Sequence, residues 1–254
     1  MTFDNNITVT GMVISAMPVG EYDTRITILS KEKGKISAFA KGARRPKSML
    51  MAGSRPFSFG TFEIYQGRNS NSVNSINIIN YFMEISQDLE ATYYGFYFLE
   101  LADYFTRENL DGKNILKLLY QSLRALMNNN IPNRLVRVIF ELKIMVFNGE
   151  YPEMFQCINC GSEENLHVVN IQKGGMLCDE CSHRVNGNME IETSAIYAMQ
   201  FIITKEVEKL YTFRVSEKVQ RELENVMKKY MDLYVDKSFK SLEIIHSLEY
   251  NTMD

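Results

Sequence analysis

Ile7-Thr8-Val9-Thr10-Gly11-Met12-Val13-Ile14-Ser15 and, a few residues on, Thr24-Arg25-Ile26-Thr27-Ile28-Leu29-Ser30 decide how this chain begins to fold. In the first run Ile7, Val9, Gly11 and Val13 alternate with Thr8, Thr10, Met12 and Ile14. In the second, Thr24, Ile26 and Ile28 alternate with Arg25, Thr27 and Leu29. A period of two belongs to a strand, whose successive side chains leave on opposite faces. Lys35 to Lys41, Phe57 to Tyr65 and Val73 to Asn80 read as three more strands, each bounded by Gly, Pro, Asn or Ser. Glu32-Lys33-Gly34-Lys35 joins the second to the third, and Gly67-Arg68-Asn69-Ser70-Asn71-Ser72 the fourth to the fifth. Gly20 lets the chain turn between the first two, with Glu21 capping that turn or pairing with an arginine. Five short strands in eighty residues predict a small barrel of OB or SH3-like type.

Charge separates this region from the rest. Residues 1–80 hold ten Lys/Arg and five Asp/Glu, a balance of +5; the remaining 18 basic and 26 acidic residues give −8, for −3 overall. The basic end suits a polyanion, and the acidic remainder suits a protein partner or solubility. Lys41, Arg44, Arg45 and Lys47 crowd into seven residues between the third and fourth strands, beside Gly42 and Pro46. They form a candidate phosphate clamp, although a solvated surface loop explains the same charge run. Phe39, Phe57, Phe59, Phe62 and Tyr65 flank the loop. Most of these rings read as barrel core, with Phe57 and Phe59 on one strand face, Phe62 on the other, and one or two rings left to stack on bases.

Beyond residue 84 the period lengthens to that of a helix. Ile115, Leu119, Leu123, Leu126 and Met127 form one stripe, Leu135, Val138, Ile139, Leu142, Met145 and Val146 another, and Val219, Leu223, Val226, Met227, Tyr230, Met231 and Tyr234 a third. The ring-rich stretch Leu89 to Phe105 reads as helix packing. Asn148-Gly149 is expected to end a helix and Thr193-Ser194 to cap the next.

All four cysteines fall in two Cys-x-x-Cys pairs, Cys157/Cys160 and Cys178/Cys181, with seventeen residues between the pairs. Two such turns present four thiolates to one Zn²⁺ in a closed tetrahedral site, which stabilises a fold and leaves no position for Lewis-acid chemistry. Two disulfides or buried free thiols are the alternative, and a thioredoxin-like pair would need only one such turn. His183 stands two residues past Cys181 as a substitute ligand or a hydrogen-bond donor to sulfur; His167 and His246 look isolated.

With 254 residues, 45% hydrophobic and 23% charged, the chain has room for two globular domains. It shows no secretory signal and no apolar run of about 20 residues, so a soluble cytoplasmic protein without membrane contact is expected.

Gly11-Met12-Val13-Ile14-Ser15, Gly20-Glu21-Tyr22-Asp23-Thr24-Arg25-Ile26, the run from Gly34 to Ser48, and Arg55-Pro56-Phe57 resemble the N-terminal domain of the RecO family of bacterial recombination mediators. The paired cysteines stand where many members carry zinc. The likeness spans the whole chain, with Ala40-Lys41-Gly42-Ala43-Arg44 and Pro56-Phe57 its most specific part. It implies an α+β multidomain protein: an OB-fold barrel at 1–80, a helical domain at 81–150 and 189–254, and a zinc module at 151–188 interrupting it. It also implies binding of single- and double-stranded DNA, strand annealing, and loading of RecA onto DNA coated by single-strand-binding protein, with RecR as main partner and a nucleoid-associated location. Lys41, Arg44, Arg45 and Lys47 become the implied DNA contacts, with Arg25 and Lys35 on neighbouring strands. No enzymatic role is implied, and the chain shows no Walker run, no His-x-Glu beside the cysteines and no nucleophile elbow. An RNA-binding protein, or an interaction scaffold whose basic loop is mere surface, are the competing classes.

Overall fold

The computed structural model describes residues 5–128 and 130–251. Strands β1 (Asn6–Val19), β2 (Asp23–Ser30), β3 (Gly34–Ala40), β4 (Phe59–Gln66) and β5 (Asn71–Asn80) form a closed barrel in the order β1-β2-β3-β5-β4, with β1 pairing β4. The β3–β5 pair is parallel and the other four are antiparallel, the closure of an OB-fold. At fourteen residues β1 serves two partners, and a register shift between Val13 and Ser15 lets it bend from one to the other. Gly11 sits at that crowded crossing, where a Cβ would come within 2.6 Å of the Leu29 carbonyl oxygen.

The two-residue period fills the interior. Val9, Val13, Ile26, Ile28, Ile36, Ala38, Phe62 and Ile64 are buried in one apolar cluster. Each large apolar side chain so buried contributes about 1.5–3 kcal/mol. The fourth strand starts at Phe59, two residues later than expected. Phe57 lies before it at φ 71°, a left-handed conformation that ends the regular ladder. Its ring leaves the barrel and packs on Phe96 at 4.8 Å between centroids, while Phe59 meets Tyr120 at 4.8 Å. Of the five rings flanking the basic loop, Phe62 belongs to the barrel core; Phe39, Phe57 and Phe59 are half-buried outside it, and Tyr65 is exposed.

The helices are α1 (Leu89–Phe105), α2 (Lys113–Leu126), α3 (Asn133–Asn148), the single turn α4 (Asp179–Ser182), α5 (Thr193–Thr204), α6 (Glu217–Tyr234) and α7 (Lys240–Asn251). Asp88 accepts from the Ala91 N–H to cap α1, and Gly149 at φ 76° closes α3. Thr193 and Ser194 do not cap α5. They lie inside it, and Glu192 holds the N-cap position without a side-chain bond.

The four segments expected from sequence regroup into two compact units. Met1–Met127 and Phe239–Asp254 form the first, so α1, α2 and α7 belong with the barrel; Asn128–Ser238 forms the second. In the first, Phe239 lies edge-on to Tyr97 at 5.5 Å, which ties the C-terminal segment to α1. In the second, α3, α5 and α6 pack on one another, and β6 (Leu166–Asn170), β7 (Gly175–Cys178) and β8 (Asn188–Glu190) form a small sheet, ordered β7-β6-β8, against which α4 packs. Lys143 of α3, almost fully buried, donates to the carbonyls of Ile202, Ile203 and Lys205 at 3.0, 2.8 and 2.7 Å. It thereby satisfies acceptors that the end of α5 leaves open. Burial holds its ammonium below the usual lysine range.

Candidate nucleic-acid interface and cysteine cluster

Alternation along β3 sends Ile36, Ala38 and Ala40 inward and Lys35, Ser37 and Phe39 outward, with Lys41 next along the chain. Across the ladder Arg25 stands opposite Phe39 and Thr27 opposite Ser37. The outer face of β2–β3 thus carries a cation, a ring, hydroxyls and a second cation in a row. From Lys35 to Lys41 the strand rise gives about 20 Å. With the β4–β5 turn, this face encloses a cleft of about 410 Å³ lined by Arg25, Lys33, Lys35, Phe39, Ser70 and Asn71, among others.

At one end the basic loop is docked. The Gly42 N–H donates to Asp23 Oδ1 (2.7 Å), the Arg44 N–H to the Tyr22 carbonyl (2.9 Å), and the Arg44 guanidinium to the Gly20 carbonyl (3.2 Å). Gly20, at φ 56°, makes the turn that puts these acceptors in place. Arg45 lies over the Tyr22 ring, 5.1 Å from its centroid. Glu21 bonds the Tyr22 hydroxyl and raises its pKa. Lys41, Arg44, Arg45 and Lys47 are all exposed on this anchored loop. Arg25 is exposed on the adjoining strand.

Lys35 is placed differently. Its ammonium bonds both the Asp103 carboxylate (3.0 Å) and the Asp103 carbonyl (2.8 Å) at the end of α1, so its charge is already paired. The segment after α1 is stapled to the β2–β3 turn, where Lys35 N–H donates to Arg107 O (3.2 Å) and Asn109 N–H to Lys33 O (2.9 Å). Gly34, at φ 60°, lies where a Cβ would strike the Arg107 and Leu110 carbonyls. Lys33 and the Asn69–Asn71 side of the cleft were passed over in the sequence. The tight Glu32–Lys35 turn was the available signal for Lys33.

The cysteines gather in the second unit. The Cys157–Cys160 turn meets the end of β7 and α4, which bring Cys178 and Cys181, and the four Sγ atoms lie within 4.8 Å of one another. They are free thiols, not disulfides. The Cys160–Cys178 separation of 3.6 Å matches the ~3.8 Å edge of a tetrahedron built on ~2.3 Å metal–sulfur bonds. Burial pushes the Cys157 thiol up, but the N–H groups of Cys178, Asn159 and Cys160 outweigh it and hold it at about 6. The Ser162 N–H lowers Cys160, yet its thiol neighbours Cys157, Cys178 and Cys181 push it up to about 12. Opposed shifts of this kind arise where crowded sulfurs compete to ionise, and a cation relieves the competition. Asn159 Nδ2 donates to Cys181 Sγ at 3.2 Å. His167 is not isolated, since its Nε2 lies 3.0 Å from Asp179 Oδ1 beside the cluster.

Barrel, docked basic loop and four-cysteine cluster define an OB-barrel protein with a cationic outer face and a metal-compatible module in a second, largely helical unit. Family models for the N-terminal part of recombination protein O match residues 1–82, and those for its C-terminal part match residues 86–243. The chain belongs to the RecO family. It is 35% identical over 247 residues to the DNA repair protein RecO of Acetivibrio thermocellus, covering 96% of this chain and 98% of that one. It is 30% identical over 236 residues to that of Alkaliphilus metalliredigens, covering 92% and 96%. Among the described residues no helix is long and apolar enough to cross a membrane.

Proposed function

We propose that this chain is a DNA repair and recombination mediator that binds single- and double-stranded DNA, anneals complementary strands and, with RecR, promotes RecA loading on strands coated by single-strand-binding protein. The observation that carries this reading is the continuous outer face of β2–β3, on which Arg25 and Phe39 stand next to a basic loop anchored to the β1–β2 turn. An OB barrel presents this face to oligonucleotides. Long cations there displace counterions from phosphates, and a ring accepts the face of an unpaired base. Neutralising one strand lowers its repulsion for a second, which favours annealing without bond-making chemistry. The cysteine cluster holds zinc as a structural ion, because four thiolates closing a tetrahedron match that metal and leave no position for substrate. The protein acts in the cytoplasm at the nucleoid.

Annealing of complementary oligonucleotides coated by single-strand-binding protein tests this. The parent chain accelerates annealing at low salt; Arg44→Ala with Arg45→Ala binds DNA more weakly whatever its sequence and loses about 0.7 units of salt slope per phosphate contact on single strands. Absence of annealing by the parent chain, or an unchanged slope in the double variant, refutes the assignment.

A further inference from the structure

A carboxylate, Asp23, stands at the foot of the basic loop, and on charge alone it repels the DNA that the loop attracts. We infer that its net effect is the opposite: Asp23 is a positioning residue that raises affinity for nucleic-acid phosphates by fixing the loop, and the neighbouring Tyr22 ring steadies Arg45 to the same end. This rests on the DNA-binding reading above and adds to it the groups that organise the contact without making it.

The β2–β3 ladder ends with Thr24 opposite Ala40. One residue further out, Asp23 is still opposite Val19 of β1, and its half-buried side chain reaches past the end of the ladder to accept the Gly42 N–H at 2.7 Å. Gly42 turns the chain at φ 66°. A carboxylate aimed at its N–H makes a charge-assisted bond, stronger than a neutral one. The next two residues are held as well: Ala43 is buried in the barrel's apolar cluster, and the Arg44 N–H donates to the Tyr22 carbonyl at 2.9 Å. Three consecutive residues are thus fixed, and the Arg44 and Arg45 side chains leave from a set backbone. Their ends rest on the Gly20 carbonyl and the Tyr22 ring, neutral groups that order a guanidinium without cancelling its charge. Long cations ordered beforehand lose less freedom when a phosphate arrives. Asp23 spends its Oδ1 on a backbone N–H, in contrast to Asp103, which takes up the Lys35 ammonium.

The test is a fluorescence-anisotropy titration of the full chain with a mixed-sequence single-stranded oligonucleotide at one salt concentration, comparing Asp23→Ala with Asp23→Asn. Both remove the same charge, but only asparagine keeps an acceptor oxygen for the Gly42 N–H. Asp23→Asn is expected to bind about fivefold more tightly than Asp23→Ala, the order of one long side chain left to be fixed on binding. The gap is expected to close when both are made together with Arg44→Ala and Arg45→Ala. Equal binding by the two variants overturns the proposal. So does a gap that persists without the two arginines, which is what a merely weakened barrel gives. Should Asp23→Ala fail to fold, the exposed Tyr22 carries the same comparison: Tyr22→Ala weakens binding about threefold, the order of an exposed cation–π contact, and has no effect beside Arg45→Ala. An effect of Tyr22→Ala that survives Arg45→Ala overturns the positioning role. If the parent itself does not bind the oligonucleotide, the DNA-binding reading fails and this inference with it; if the parent binds and the two Asp23 variants are equal, the positioning role alone fails.

Discussion

Asp103→Asn should make the protein a stronger and more salt-sensitive DNA binder. Lys35 stands on the proposed binding face, but its ammonium is shared between the Asp103 carboxylate at 3.0 Å and the Asp103 carbonyl at 2.8 Å. An asparagine keeps the shape and the carbonyl and removes the competing charge. The ammonium then becomes available to a phosphate, although the remaining carbonyl keeps the release partial. One added contact on single-stranded DNA steepens the salt slope by at most about 0.7 units, or about 2.6-fold more affinity lost between 50 and 200 mM salt. At low salt the new charge-assisted bond adds about 1 kcal/mol, close to fivefold in affinity. Folding is little affected: the side chains are 22% and 40% exposed, and a pair so solvated contributes about 0–1 kcal/mol. Anisotropy titrations with a mixed-sequence oligonucleotide over several salt concentrations measure both quantities, and a melting curve checks the fold. Weaker binding, or a slope equal to that of the parent, refutes the argument that Asp103 holds Lys35 back.

The second unit supplies two further expectations. Treatment with a chelator to remove the proposed zinc, or replacement of Cys157 and Cys160 by serine, should lower the stability of the second unit, seen as faster amide exchange in β6 and β7, while the proposed DNA binding by the barrel persists; unchanged exchange would show that the cluster stabilises nothing. Lys143→Met should cost about 2 kcal/mol in urea unfolding, because it leaves the carbonyls of Ile202, Ile203 and Lys205 without their buried donor, and a neutral result would place water there instead.

Local sequence carried much of this protein. The two-residue period of Ile7–Ser15 and Thr24–Ser30 specifies strands because a slip by one residue would turn Ile26 and Ile28 out to water, and the barrel keeps both at its centre. The cysteine spacing determined the cluster for a similar reason, since each Cys-x-x-Cys turn fixes two sulfurs by itself and only two turns had to meet. The roles of Phe57 and Phe59 were not legible. Alternation gave them a strand face, whereas their partners Phe96 and Tyr120 lie on helices about forty and sixty residues away.

By itself, then, the sequence determined the strands, most of the helices, the basic loop and the metal-compatible cysteines, all set by residues within a few positions of one another. Tertiary structure alone decided that α1, α2 and α7 join the barrel's unit, that the basic loop is docked by Asp23, Gly20 and Tyr22, and that Lys35 is paired while Arg25 stays exposed. The physical reason is that a cation's availability depends on which acceptor the fold brings within about 3 Å. For Lys35 that acceptor lies sixty-eight residues along the chain.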